Sequence, residues 1–464
     1  MNIIPKQDKK EKLIIKGIRQ GRKAYTGPRI LQIDLTDACA NRCVACWTHS
    51  PYLNESGKTR PIHNLDVNLL NQWIESFKAL DVREIHLAGA GEPLLYPSIL
   101  NVLKNLKKKE FFVNLNTSLY PIPENTAETL VSSQVDLLTV SLWAGSEKVW
   151  HRMHPEMPSS AFSRISSFLM EIQKIKKASN TSLPRIKIYH VITSLNDDSI
   201  EEMIDFGITH FADETEFQIA DIIPGVTEFL SLKEINVQRI LEQFRLLRNR
   251  TDFTSEFIGV GNRLDLDSTD ASQEQKEYGR FFKPLKKGFR IKKETNQMIC
   301  PQGTVNTKKA WKEGHPYPVL SYEFSPNICR TCPLSSFCYE TPSSLPLYTN
   351  FMNVKGVGSF IRRMASSGQN IEPDSSIVNK IPCTVGWYYG RILSDSSFIP
   401  CCKASLFPMG SLKEKDFKSI WFSESMNTFR EKAKTLSKND PYFHPINCLK
   451  GCDNLGMNLE MIRK

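Results

Sequence analysis

The chain has 464 residues, with 60 Lys and Arg against 50 Asp and Glu (net charge +10) and 12 cysteines. Its 40% hydrophobic and 10% aromatic residues suffice for a full core, which excludes a disordered chain or a small stapled scaffold. The length predicts two or three domains, or one large α/β domain with an appendage.

The amino-terminal arm, residues 1–28, comes first. Between Met1 and Lys23 lie eight basic and two acidic residues, so this stretch carries +6 of the +10. Such an arm can attract nucleic acid, an anionic membrane surface or a phosphorylated substrate. The plain reading is a solvated, partly frayed terminus. The +4 left on the body gives no argument for a nucleic-acid groove. No signal peptide is evident, and no run approaches the ~18 apolar residues of a membrane span. The expectation is a cytoplasmic protein with neither membrane nor nucleic acid as partner. Its reduced cysteines then read as metal ligands or redox groups.

From Arg29 the pattern becomes regular. Strands are predicted at 30–35, 85–87, 111–115, 137–142, 186–192 and 216–219. Helices are predicted at 65–80, 99–107, 124–131, 162–177, 199–206 and 233–250. Strands alternating with helices imply a parallel sheet with right-handed crossovers. Six such units over 29–250 predict an α/β fold, a partial (β/α)6 TIM-like barrel, with its chemistry at the carboxyl ends of the strands. Residues 251–299 read as a polar connection. Residues 300–464, rich in Pro and Cys and weakly periodic, read as a region organised by ligated metal.

The first strand, ILQIDL, runs into TDACANRCVACW, which sets Cys39, Cys43 and Cys46 in a C-x3-C-x2-C loop. Three thiolates can grip one face of a 4Fe–4S cube and leave one iron open. A zinc site would want a fourth ligand, and His49 is near enough in sequence to keep that alternative. The second strand ends in Ala90-Gly91-Glu92-Pro93. The third ends in Asn114-Leu115-Asn116-Thr117, the fourth at Ser141, and the fifth and sixth offer His190 and Gln218 with Asp221.

These motifs resemble the radical S-adenosylmethionine (radical SAM) superfamily, whose signature is C-x3-C-x2-C with an aromatic following, here Trp47. The resemblance covers about 29–250. It implies a radical-generating 4Fe–4S cluster on Cys39, Cys43 and Cys46, and S-adenosylmethionine beside it. It further implies that Gly91, Glu92 and Pro93 hold the amino group of that molecule, with Trp47, Asn116, Ser141, His190 and Gln218 as further cofactor contacts. Ala90 departs from the usual first glycine, and Trp143 stands where an acidic residue is usual. For Asn116, Ser141, His190 and Gln218, simple capping or sheet-edge hydrogen bonding is the competing account.

Cys383, Cys401, Cys448 and Cys452 resemble the ligand set of a SPASM/twitch auxiliary 4Fe–4S extension. Cys300, Cys329, Cys332 and Cys338 contain the C-x2-C-x5-C of a full SPASM domain, displaced upstream, and suit a second auxiliary cluster or a zinc ion. The resemblance therefore implies one or two auxiliary clusters. Cys402 is the thiol left over, either a neighbouring core thiol or a catalytic hydrogen-atom donor. The implied activity is reductive cleavage of S-adenosylmethionine to a 5′-deoxyadenosyl radical that abstracts hydrogen from substrate. An external donor of the flavodoxin or ferredoxin type would supply the electron. The expected substrate is a carbohydrate-like or natural-product small molecule that is oxidised or epimerised; peptide maturation and RNA modification are the alternatives.

Overall fold

The computed structural model describes residues 9–53, 62–223, 225–247 and 381–446, with short strands between 258 and 322 and a few positions at 378 and after 447. Helix α1 (Lys9–Gln20) opens the chain. Ile14 and Ile18, one turn apart, share a face and are buried with Val385, Trp387 and Phe429 from the carboxyl-terminal region. Gly17 lies against Trp387, where a Cβ would come within 2.6 Å of Cδ1 and 2.7 Å of the Lys23 carbonyl oxygen. Trp387 Nε1 donates to that same carbonyl at 3.0 Å. Lys434 Nζ donates to Ile18 O at 2.6 Å, closing the helix's carboxyl end. Arg22 pairs with Glu424 and Glu431. From Lys9 onward the basic arm is thus a docked helix, not a frayed one. Its charge masked an apolar helical stripe that could be buried only against residues nearly four hundred positions away.

The barrel elements follow in order. Strand β1 (Ile30–Ile33) leads to α2 (Val67–Ala79), β2 (Glu84–Leu87), α3 (Ile99–Lys108) and β3 (Phe112–Thr117). Then come α4 (Thr126–Ser132), β4 (Leu137–Ser141), α5 (Glu147–Met153), α6 (Ser160–Ala178) and β5 (Arg185–Ile192). Helix α7 (Ile200–Thr209), β6 (Glu214–Ile219), α8 (Glu234–Leu247) and β7 (Ile258–Val260) complete the alternation. Local chemistry sets several of these boundaries. Asp66, for example, caps α2 by accepting from Asn68 N at 2.8 Å and Leu69 N at 3.0 Å. Helix α5 and strand β7 were not expected.

A three-stranded antiparallel sheet, β8 (Arg290–Lys292), β9 (Gln297–Cys300) and β10 (Gly303–Val305), precedes the hairpin β11 (Thr307–Ala310) and β12 (Val319–Tyr322). The carboxyl-terminal region supplies α9 (Val385–Tyr388), β13 (Tyr389–Ile392), β14 (Ser397–Ile399), β15 (Gly410–Ser411), α10 (Phe417–Trp421) and α11 (Glu424–Thr435).

The main sheet has ten strands in the order β15-β14-β13-β1-β2-β3-β4-β5-β6-β7. Strands β1 to β7 run parallel to their neighbours, and β13 joins the free edge of β1, also in parallel. The architecture is an open, mostly parallel partial barrel. Register separates its two faces. Ile33, Leu87, Leu115, Leu138 and Ile186 sit side by side across five strands and are fully buried with the helices. Each such side chain contributes roughly 1.5–3 kcal/mol by leaving water. The opposite face carries Gln32, His86, Asn114, Asn116 and Lys187, all half-buried, and the buried Thr139. The interior of the half-barrel is therefore polar.

Overpacking at the helix α1 contact provides a test. Gly17→Ala should destabilise the protein by about 1–3 kcal/mol in urea unfolding, whereas an exposed change such as Lys16→Ala should stay within about 0.5 kcal/mol.

Candidate active site at the carboxyl ends of the strands

The cysteine loop follows β1 directly. Cys39, Cys43 and Cys46 are all half-buried and reduced. Cys39 Sγ accepts from Asn41 N at 3.5 Å, and Cys46 Sγ accepts from His49 N at 3.2 Å and Thr48 N at 3.4 Å. Burial pushes the Cys39 thiol up to about 11. It pushes Cys43 well above its ordinary value, with Cys46 and Cys39 adding repulsion. Three thiolates crowded out of water need compensating positive charge, which a metal centre brings. Among the described residues, no three His, Cys, Asp or Glu side chains converge on a point suited to a single ion.

The Gly-Glu-Pro turn packs against this loop. A Cβ on Gly91 would meet the carbonyl oxygens of Ala38 at 2.4 Å and Thr36 at 2.6 Å, so glycine is required by the approach of the two strand-end segments. Glu92 N donates to Ala38 O at 2.8 Å. The Glu92 carboxylate is 3% exposed and accepts from Leu94 N at 3.1 Å, Ser118 N at 2.8 Å, Ser118 Oγ at 2.6 Å and Thr117 Oγ1. Its roughly four acceptor positions are thus taken by the chain. Burial raises its pKa, while the Ser118 and Thr117 donors oppose the rise. Glu92 locks the end of β2 to the end of β3. Pro93 opens the short 3-10 turn that Glu92 caps.

Asn116, Ser141 and Gln218 lie on the polar inner face of β3, β4 and β6 by their register with Thr139, Tyr189 and Val191. His190 does not join them. It pairs in register with Phe217 on the helix-facing side, is fully buried, and stacks on the Phe217 ring at 5.3 Å. Trp47 is 48% exposed beside the loop, with Lys403 Nζ 5.6 Å from its ring centroid. Buried polar atoms without partners recur in this zone: Asn41 Oδ1, His49 Nε2, Trp143 Nε1 and Gln218 Oε1.

Cys383, Cys401, Cys448 and Cys452 line a single pocket whose walls include Val385, Phe443 and Ile446. Four thiols on the wall of one pocket are the number that one cluster takes. Cys402 is absent from that lining. Its Sγ donates to Asp453 Oδ2 at 3.1 Å and accepts from Asn454 Nδ2 at 3.3 Å. For Cys300 only the backbone, at the end of β9, is described; Cys329, Cys332 and Cys338 lie outside the described residues.

Two ion pairs that the motif pattern did not reveal join the halves of the site. Asp34, just after β1, receives Arg391 of β13 through Nε at 2.8 Å and Nη2 at 2.6 Å, and Arg391 Nη1 donates to Cys402 O at 2.8 Å. Lys403 Nζ donates to Asp221 Oδ2 at 3.0 Å, tying the carboxyl-terminal thiol turn to the end of β6. Asp221 stands out at a strand end, but the pairings themselves carry no local sequence signal, because each spans well over a hundred positions.

Residues 33–207 match the model of the radical SAM superfamily, and residues 383–449 match that of SPASM, an iron–sulfur cluster-binding domain. The chain belongs to the radical SAM superfamily and carries a SPASM domain. Membership brings a 4Fe–4S cluster used with S-adenosylmethionine, and auxiliary iron–sulfur binding in the carboxyl-terminal domain. Among solved structures, SuiB of Streptococcus suis bound to precursor peptide SuiA is similar at TM-score 0.53 and 13% identity, over 90% of this chain and 70% of that chain. SuiB bound to S-adenosylmethionine gives 0.49 at 14% identity (94% and 75% covered), and anSMEcpe with bound AdoMet 0.48 at 14% (93% and 87% covered). At these identities the likeness is one of fold. No curated protein sequence matches. Among the described residues no helix is long and apolar enough to cross a membrane.

His190 generates a pH prediction. Burial lowers its pKa to about 3, below the ~6.5 of the unfolded chain. Between those values the unfolded state binds more protons, so stability is full above about pH 6.5 and falls as pH drops toward 3. Both ring nitrogens are also unpartnered. His190→Leu should hold or raise stability at pH 7 and flatten the decline between pH 6.5 and 4 in urea titrations.

Proposed function

We propose that Cys39, Cys43 and Cys46 hold the radical-generating cluster and that the Ala90–Pro93 turn receives S-adenosylmethionine. The bound groups supply a one-electron cleavage that yields methionine and a 5′-deoxyadenosyl radical for hydrogen abstraction from substrate. The reading is carried by one observation: the cysteine loop and the Gly-Glu-Pro turn, from adjacent strands, are packed together by Gly91 and by the Glu92 N to Ala38 O bond. Because Glu92 is saturated by chain donors, its part is to fix the turn so that backbone carbonyls face an ammonium group. Asn116, Ser141 and Gln218 offer amide and hydroxyl contacts on the inner face.

The substrate reading follows from that face. Its amides, hydroxyls and paired charges suit a small polyhydroxylated molecule, carbohydrate-like or of natural-product type, that is oxidised or epimerised. A peptide substrate is the second reading, supported by the fold likeness to SuiB with its precursor peptide. An external flavodoxin- or ferredoxin-type protein supplies the electron. Cys383, Cys401, Cys448 and Cys452 hold an auxiliary cluster that serves electron transfer.

Anaerobically reconstituted protein with dithionite and S-adenosylmethionine should release 5′-deoxyadenosine. Cys39→Ala, Cys43→Ala and Cys46→Ala should each abolish release, whereas Cys383→Ala should cleave without coupled turnover. No release from cluster-replete wild type would sink the reading.

Cys402 is proposed as the hydrogen-atom donor of an epimerising reaction: its S–H gives a hydrogen atom to the substrate radical, and the thiyl is reset by one electron and one proton. Cys402→Ala should keep 5′-deoxyadenosine release but end uptake of solvent deuterium into product. Unaltered turnover and stereochemistry would remove the idea.

A further inference from the structure

The wall of the carboxyl-terminal thiol pocket contains a lysine. Lys438 is 5% exposed and lines the same pocket as Cys383, Cys401, Cys448 and Cys452. Its Nζ donates to the carbonyl oxygens of Ala433 at 2.7 Å and Leu436 at 3.0 Å, at the end of α11, and lies 4.9 Å from the Phe443 ring centroid. Cys383, Cys448 and Cys452 are among the groups that act on it electrostatically. Burying an ammonium is costly, and helix ends are commonly closed without one. A second lysine on the pocket wall, Lys403, is matched by the Asp221 carboxylate.

We propose that Lys438 is the resident positive charge that sets the reduction potential of the auxiliary cluster, favouring its uptake of an electron. Reduction adds one electron, hence one negative charge, to a centre already bearing four thiolates; no bond breaks and no proton moves. The wall mixes apolar side chains such as Val385, Phe443 and Ile446 with Asp453, Asn454 and Asn458; charge in such a partly buried space is screened less than in water, so a fixed ammonium nearby stabilises the reduced form more than the oxidised form. The proposal rests on the ligand assignment of the four thiols given above, and the experiment separates the two.

The test is an EPR-monitored redox titration of the reconstituted full-length chain with dithionite, following the signal that Cys383→Ala removes. If Cys383→Ala removes no signal, the ligand assignment fails and the proposal falls with it. Lys438→Gln keeps a donor for the helix carbonyls but drops the charge. It should weaken electron affinity at least tenfold, a midpoint about 59 mV more negative. Lys438→Met should do the same, and Lys438→Arg should remain at the wild-type value. An unchanged midpoint in Lys438→Gln, or an equal shift in Lys438→Arg, overturns the proposal. If the neutral variants fail to load iron, normal loading of Lys438→Arg upholds the requirement for charge, and failure of Lys438→Arg as well overturns it.

Discussion

The contact on which the arrangement depends is the buried pair between Asp34 and Arg391. Asp34 is 1% exposed and sits at the end of β1, immediately before the cysteine loop. Burial alone would lower the pKa of Arg391, and the Asp34 carboxylate more than reverses this, holding the guanidinium firmly charged. Neither group would be tolerated there without the other, since a lone buried charge costs about 3–5 kcal/mol. The pair fastens β13 to β1, and through the Cys402 carbonyl it fastens the carboxyl-terminal thiol turn as well. Two thiol-bearing loops, more than three hundred residues apart in sequence, are thereby held to one sheet edge. Specificity of docking, more than net stability, is what such a fork-shaped ion pair contributes.

Much of the barrel was legible because its information is local. Leu31, Ile33, Ile85, Leu87, Val113 and Leu115 alternate with polar partners at the period of a strand, and α3 repeats its apolar residues at helical spacing. The three cysteines and Gly91-Glu92-Pro93 were legible for the same reason, as tight spacings at strand ends. His190 shows where that reasoning stops. A strand end offers residues on both faces, and only the parity of the register decides which enter the interior. His190 has the parity of Ile188 and Ile192 and faces the helices. Helix α1 was misread because its apolar stripe is short and its partner lies at the far end of the chain.

The polar inner face and the saturated carboxylate of Glu92 divide labour within the site. Glu92 and Asp34 spend their hydrogen-bonding capacity on the chain itself, holding strand-end loops in place. Asn116, Ser141 and Gln218 stand between those anchors on the open face. A radical intermediate tolerates little freedom around it, so rigid loops framing a few polar contacts suit the chemistry better than a flexible, fully charged cleft.

The docking of α1 on the carboxyl-terminal region has a consequence for how the molecule comes into being. Arg22 meets Glu424 across 402 positions, and β1 meets β13 across more than 350. Helix α1 must wait for residues made some four hundred positions later before it finds its partner, and contacts of such long range slow folding. During translation the amphipathic stripe of α1 and the open edge of β1 stay uncovered, a state prone to pairing with other chains. Closure of the sheet edge and completion of the second thiol pocket then arrive in the same late step.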